Sequence, residues 1–98
     1  MMVVISKTQL NQFGQQHADA ADALDEWYKT VKQADWGNLA ELRQSFNSVD
    51  YVGNDRYVFN IKGNRYRLVA MIFFDIRTLF VRFIGTHAEY DKIECSTI

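Results

Sequence analysis

The sequence predicts an α+β domain in which N-terminal helices pack on one face of a mostly antiparallel, twisted sheet. Three observations carry this. Up to residue 46 the apolar residues recur at three- and four-residue spacings, the signature of amphipathic helices. From residue 49 they alternate, or run together in short β-branched and aromatic stretches, as strands do. Between two of those stretches stands Lys62-Gly63-Asn64, a tight-turn signal. A length of 98 residues suits one domain spanning 1–98.

Met2 to Ile5 is a short β-branched run that reads as an edge strand. Ser6 precedes Gln9 by three residues, a capping-box spacing that opens a first helix carrying Leu10 and Phe13. Ala18 to Ala34 reads as a second helix. Leu24, Trp27, Tyr28 and Val31 make its apolar face, acids crowd its first turns, and Lys29 and Lys32 lie toward its end. Asn38 stands three residues before Glu41, so a short third helix is expected over Leu39 to Phe46. Val49 to Val52 can form a short strand closed by Gly53-Asn54-Asp55. Arg56 to Ile61 alternates, with Tyr57, Phe59 and Ile61 on one face. Arg65 to Phe74 is nearly continuous in apolar residues, which suggests a central strand. Asp75-Ile76-Arg77 turns the chain, Thr78 to Ile84 is the last strand, and His87 to Ile93 forms a final helical turn or short helix. Leu24, Trp27, Leu68, Ala70, Ile72 and Phe74 are the expected core between helices and sheet.

Several classes are excluded. No apolar run approaches the roughly 18–20 residues of a membrane span, and the N-terminus lacks the basic start of a signal peptide, which points to the cytoplasm. Cys95 is the only cysteine and reads as a spectator thiol. No His, Cys or carboxylate set has metal-ligand spacing, so neither metal nor other cofactor is expected. Charge is unevenly placed: residues 1–50 hold four bases against seven acids, a net of −3, whereas Arg56 to Arg82 hold six bases against Asp75 alone, a net of +5. Such asymmetry fits either a polyanion partner or a solvated sheet face.

Period-2 geometry puts Arg65 and Arg67 on one strand face with Val69, Met71 and Phe73, and Arg82 on a face with Phe80 and Ile84, opposite Leu79, Val81 and Phe83. An arginine among bulky apolar neighbours either pairs with an acid of the fold or faces a groove awaiting an anion. His87, Tyr90 and Asp91 are three and four residues apart, so a helical turn would bring together two groups able to move protons. Equally, Thr86 and Glu89 could simply cap that turn, with His87 and Tyr90 packing at the end of the sheet.

Two stretches resemble known motifs. Phe59-Asn60-Ile61-Lys62-Gly63-Asn64-Arg65-Tyr66-Arg67-Leu68-Val69 looks like the central motif of HigB-type toxins, and Thr86-His87-Ala88-Glu89-Tyr90-Asp91 is similar to their C-terminal motif. The resemblance implies a small RelE-like fold and a metal-independent endoribonuclease that cleaves messenger RNA, usually on translating ribosomes. It also implies a cognate HigA-like helix-turn-helix antitoxin. By motif position Arg67 and Arg82 would clamp phosphate, and His87 or Tyr90 would transfer the proton. Lys62 and Arg65 at the hairpin, with Lys92, would touch RNA backbone, and Asp91 would orient a neighbour. Toxins of this class tend to be strongly basic, whereas this chain has a pI near 6.0. A ParE-like toxin that binds a protein target, or a non-catalytic RNA- or protein-binding domain of the same fold, are the competing readings.

Overall fold

The computed structural model describes residues 1–63 and 65–98. A short strand β1 (Val3–Ile5) leads into helices α1 (Lys7–Gln16), α2 (Ala18–Gln33) and α3 (Leu39–Ser45). Strands β2 (Asp50–Gly53), β3 (Arg56–Ile61), β4 (Tyr66–Phe73) and β5 (Thr78–Thr86) follow, and helix α4 (His87–Tyr90) comes after β5. The strands form one sheet in the order β1-β5-β4-β3-β2, which puts β4 in the middle as its apolar run predicts. β1 lies parallel to β5 at one edge, and the other pairings are antiparallel.

Local chemistry explains the boundaries. The Ser6 hydroxyl accepts from the Thr8 amide rather than from Gln9, so α1 is capped without the reciprocal bond of a capping box. Asn38 Oδ1 accepts from the Glu41 amide at 2.9 Å and starts α3. Asn54 and Asp55 both have positive φ, the backbone of a two-residue hairpin loop that matches strand twist. Lys62 and Gly63 share that conformation in the β3–β4 connection; Asn64 of the expected turn lies outside the described residues. β4 begins at Tyr66, so Arg65 belongs to the turn and not to the strand face expected for it. Phe74 likewise falls just past β4, in a single 3-10 turn, where it is half-buried with its ring edge-on to Tyr57 at 5.7 Å.

The core lies between the helices and one sheet face. Leu10 and Phe13 of α1, Ala20, Leu24, Trp27 and Val31 of α2, and Leu42 of α3 meet Tyr57, Phe59 and Ile61 of β3 and Tyr66, Leu68, Ala70 and Ile72 of β4. Trp27 stands edge-on to Phe59 at 5.4 Å, and Phe13 edge-on to Tyr66 at 5.3 Å. Burial of each large apolar side chain here contributes about 1.5–3 kcal/mol. Tyr66 also donates its hydroxyl proton to Asp19 Oδ1 at 2.6 Å, fixing the start of α2 to the central strand.

β5 breaks the simple alternation. Ala70 pairs with Val81 and Val69 with Phe83, so Arg82 is an extra residue in a β-bulge. The bulge restores the period out of phase. Ile84 therefore sits opposite Leu68 and packs on the core, while Phe83 sits opposite Val69 on the other face, reversing the faces expected for both.

The second face of the sheet is not bare. Val58 and Val69 point away from the helices, yet only 2 % and 0 % of their surfaces are exposed. The segment after α4 runs back across this face: Asn54 Nδ2 donates to the Ser96 main-chain oxygen at 2.9 Å, and Arg56 donates to that of Ile98 through Nη2 at 2.6 Å.

Candidate active site

The site grows from the cross-strand row Asn60–Arg67–Gly85, on the face turned away from the helices. Gly85 leaves that row low. A Cβ there would meet the Phe83 ring at 2.6 Å and Glu89 Oε1 at 3.0 Å, so the missing side chain lets α4 fold tightly over the strand end. Thr86 and Glu89 form a full capping box: Thr86 Oγ1 accepts from the Glu89 amide at 3.2 Å, and Glu89 Oε1 from the Thr86 amide at 2.8 Å. Those bonds, the backbone one foremost, hold the Glu89 carboxyl below its ordinary pKa. The capping role read for Thr86 and Glu89 is thus correct, and the cap aims His87 and Tyr90 at Arg67.

Arg67 Nη2 lies 3.1 Å from His87 Nε2, and its guanidinium carbon is 5.2 Å from the centre of the Tyr90 ring. Asp91 Oδ2 is 3.5 Å from His87 Nδ1. The Tyr90 hydroxyl reaches Cys95 Sγ at 3.6 Å, which gives the thiol a neighbour in the cluster. Burial and, after it, that sulfur contact push the Tyr90 phenol up to about 12, so it keeps its proton at neutral pH. Arg67 Nε and Asn60 Oδ1 are both buried with no hydrogen-bond partner among the described residues. A guanidinium with an unused buried donor, one hydrogen bond to an imidazole and no acid beside it is a ready anion clamp.

Of the residues singled out in the sequence, Arg67, His87 and Tyr90 come together. Arg82 is exposed at the bulge and takes a different partner, its Nε lying 3.3 Å from the Ile98 main-chain oxygen. Arg65 pairs with Asp19 Oδ2 at 3.2 Å, a structural partner for that arginine. Lys62 and Lys92 are exposed. Arg56 was not singled out, although its Nε and Nη2 donate to the same Ile98 oxygen as Arg82, at 3.0 and 2.6 Å. The only sequence signal for it was its membership of the basic stretch. Asn60 carries no sequence signal of its own beyond the motif that contains it, and its place across from Arg67 follows from the hairpin register.

The chain is similar to known proteins. Residues 20–93 match the family described as HigB_toxin, the RelE-like toxic component of a toxin-antitoxin system. The mRNA interferase HigB of Escherichia coli strain CFT073 is 34 % identical over 94 residues, covering 94 % of this chain and 91 % of that protein. The mRNA interferase toxin HigB of Escherichia coli strain K12 is 37 % identical over 65 residues, covering 63 % of this chain and 62 % of the relative. The Shigella flexneri mRNA interferase HigB matches to the same extent. With its central strand arginine and capped His/Tyr turn both inside the matched region, the chain belongs to the HigB toxin family, the RelE-like toxic components of toxin-antitoxin systems.

Proposed function

We propose that this protein is a metal-independent endoribonuclease that cleaves messenger RNA, and that its toxicity is neutralised by a cognate HigA-like helix-turn-helix antitoxin. The observation that carries the reading is the Arg67–His87 contact at 3.1 Å beside a protonated Tyr90. An anion clamp, a group able to accept a proton and a group able only to donate one are what cleavage by an RNA 2′-hydroxyl requires.

His87 Nε2 takes the 2′-hydroxyl proton, and the 2′-oxygen attacks the adjacent phosphorus. Arg67 binds the non-bridging oxygens and gains most as charge builds on them. Tyr90 gives its proton to the departing 5′-oxygen. The products are a 2′,3′-cyclic phosphate and a 5′-hydroxyl. In the substrate-free protein Arg67 occupies the His87 lone pair. A phosphate that draws Arg67 toward itself also frees the base, which couples binding to activation.

Most of the acidic residues of the first half lie on the helices, whereas Arg56, Arg67 and Arg82 lie on the strands, which fits a polyanion such as the translating ribosome, the proposed place of action in the cytoplasm. No helix is long and apolar enough to cross a membrane among the described residues. The test is incubation of purified protein with RNA, with and without ribosomes and with EDTA, followed by analysis of the transcript ends. Cleavage that survives EDTA and leaves 5′-hydroxyl ends supports the proposal. Cleavage leaving 5′-phosphates, or abolished by EDTA, overturns it.

A further inference from the structure

Among the described residues three buried side-chain polar atoms have no hydrogen-bond partner: Trp27 Nε1, Asn60 Oδ1 and Arg67 Nε. Two of the three belong to cross-strand neighbours, since Asn60 stands opposite Arg67 in the β3–β4 register. The ladder brings that pair closer still. The Ile72 amide donates to the Asp55 main-chain oxygen at 3.0 Å, so Asp55 and Ile72, next in the same register, are a hydrogen-bonded pair. Pairs alternate along an antiparallel ladder, which makes Asn60–Arg67 a non-hydrogen-bonded pair, the kind whose side chains approach most closely. A buried acceptor and a buried donor thus belong to adjacent side chains on one sheet face, and they do not bond.

The reason is where the guanidinium is held. On the other side of Arg67 in the row stands Gly85, with α4 just beyond it, and Arg67 Nη2 lies 3.1 Å from His87 Nε2. The guanidinium is rigid and planar, so aiming Nη2 at the imidazole also fixes the direction of Nε. The substrate-free protein therefore keeps one bond to His87 and leaves two desolvated polar atoms uncompensated. A turn of the Arg67 side chain away from His87 gives Nε the Asn60 oxygen and releases both Nη groups. Two acceptors, on two sides of one arginine, compete for it.

We propose that Asn60 is a positioning residue for Arg67: when an RNA backbone phosphate binds, Arg67 leaves His87, its Nε–H donates to Asn60 Oδ1, and its Nη groups take the phosphate oxygens. This rests on the reading of the protein as a ribonuclease. One movement satisfies both orphaned atoms and unmasks the base, so the hydrogen bond formed at Asn60 offsets the one given up at His87. The carboxamide suits this task because it accepts a donor without adding charge. A carboxylate in the same place would hold Arg67 before RNA arrives and neutralise the clamp.

The experiment follows the Arg67 Nε–H resonance by NMR, assigned by its loss in Arg67→Ala. Spectra are taken with and without a 2′-O-methyl RNA hexamer, which lacks the nucleophile and is not cleaved. The wild type, Asn60→Leu and Asn60→Asp are compared, with kcat on cleavable RNA and thermal unfolding of each. In the wild type the hexamer is expected to move the resonance downfield, as a donor gaining an acceptor does. Asn60→Leu is expected to stay folded, to lack that shift and to lose roughly 10–100-fold in kcat. Asn60→Asp is expected to show the downfield resonance before any RNA is added and to bind the hexamer more weakly. Should Asn60→Leu fail to fold, Asn60→Asp, which keeps the side chain's shape, tests the same contact. A wild-type resonance unmoved at saturating hexamer, or one that in the free protein is the same with Asp as with Asn, overturns the positioning role and leaves the cleavage reading standing. Wild-type kcat in a folded Asn60→Leu does the same. Wild-type protein that neither binds the hexamer nor cleaves RNA overturns both.

Discussion

Nη2 of Arg67 faces Nε2 of His87 at 3.1 Å. Because a guanidinium carries donors only, that ring nitrogen is the acceptor, which assigns the ring proton to Nδ1, toward Asp91 Oδ2 at 3.5 Å. The base is therefore pre-set in the tautomer that cleavage needs, and masked until Arg67 finds another acceptor. His87→Ala should lower RNA cleavage by about 10²–10⁴-fold while leaving thermal unfolding close to the wild type, since His87 is exposed. Arg67→Ala should lose cleavage as severely. Single-turnover cleavage by both variants at the wild-type rate would falsify the assignment.

Tyr90 separates the proton roles. Its phenol, pushed up to about 12 by burial and then by Cys95, stays protonated across the accessible range. The rate profile of the wild type should show no loss from Tyr90 ionisation between pH 8 and 10, and Tyr90→Phe should cost roughly 10²-fold or more at every pH. A descending limb in that window, present in the wild type and absent in Tyr90→Phe, would mean that the phenol ionises there and is not the donor described.

Asp19 ties α2 to the site strand. Its hydrogen bond from Tyr66, chiefly, holds its carboxyl below the ordinary value of 3.8. A depressed folded-state pKa means a contribution present above the unfolded value and lost as pH falls through the folded one. Asp19→Asn should therefore melt at a lower temperature than the wild type at pH 7, and the gap should close as pH falls below the ordinary carboxylate range. A gap that is constant from pH 7 to pH 2 would show that the carboxylate charge is irrelevant to this contact.

Gly85→Ala tests the close approach of α4. The added methyl collides with the far ends of Phe83 and Glu89, which can move, so the fold should survive with a modest loss of about 1–3 kcal/mol. Moving Glu89 loosens the capping box that aims His87. Cleavage should accordingly fall by more than the loss of folded protein explains, as measured by activity per folded molecule from parallel circular dichroism. Equal losses of the two would remove the positioning role given to Gly85.

Much of this could be read in the sequence where local chemistry decides. Ser6, Asn38 and Thr86 announce their helices because a capping side chain bonds within three residues. Arg56 to Ile61 and the face Tyr66, Leu68, Ala70 and Ile72 follow from strict alternation. The His87–Tyr90 turn was legible for the same reason, and the resemblance supplied Arg67. What was hidden depends on contacts distant in the chain. The partnership of Arg65 with Asp19 spans 46 residues, and that of Arg56 with Ile98 spans 42. Residues 94–98 carry no period, so nothing marked their return to Asn54 and Arg56. Phe83 and Ile84 were placed on the wrong faces because one unpaired residue resets the count, and composition does not reveal a bulge.

That unpaired residue has a further meaning. Without Arg82 the order Leu79, Phe80, Val81, Phe83, Ile84 would alternate inward and outward without interruption, each residue keeping the face it has now. Arg82 is thus supernumerary to the architecture: a single-codon deletion there would shorten the strand and leave every core neighbour in register. A side chain the scaffold does not need is free to vary or persist for reasons unconnected with folding, and here the extra one is an arginine.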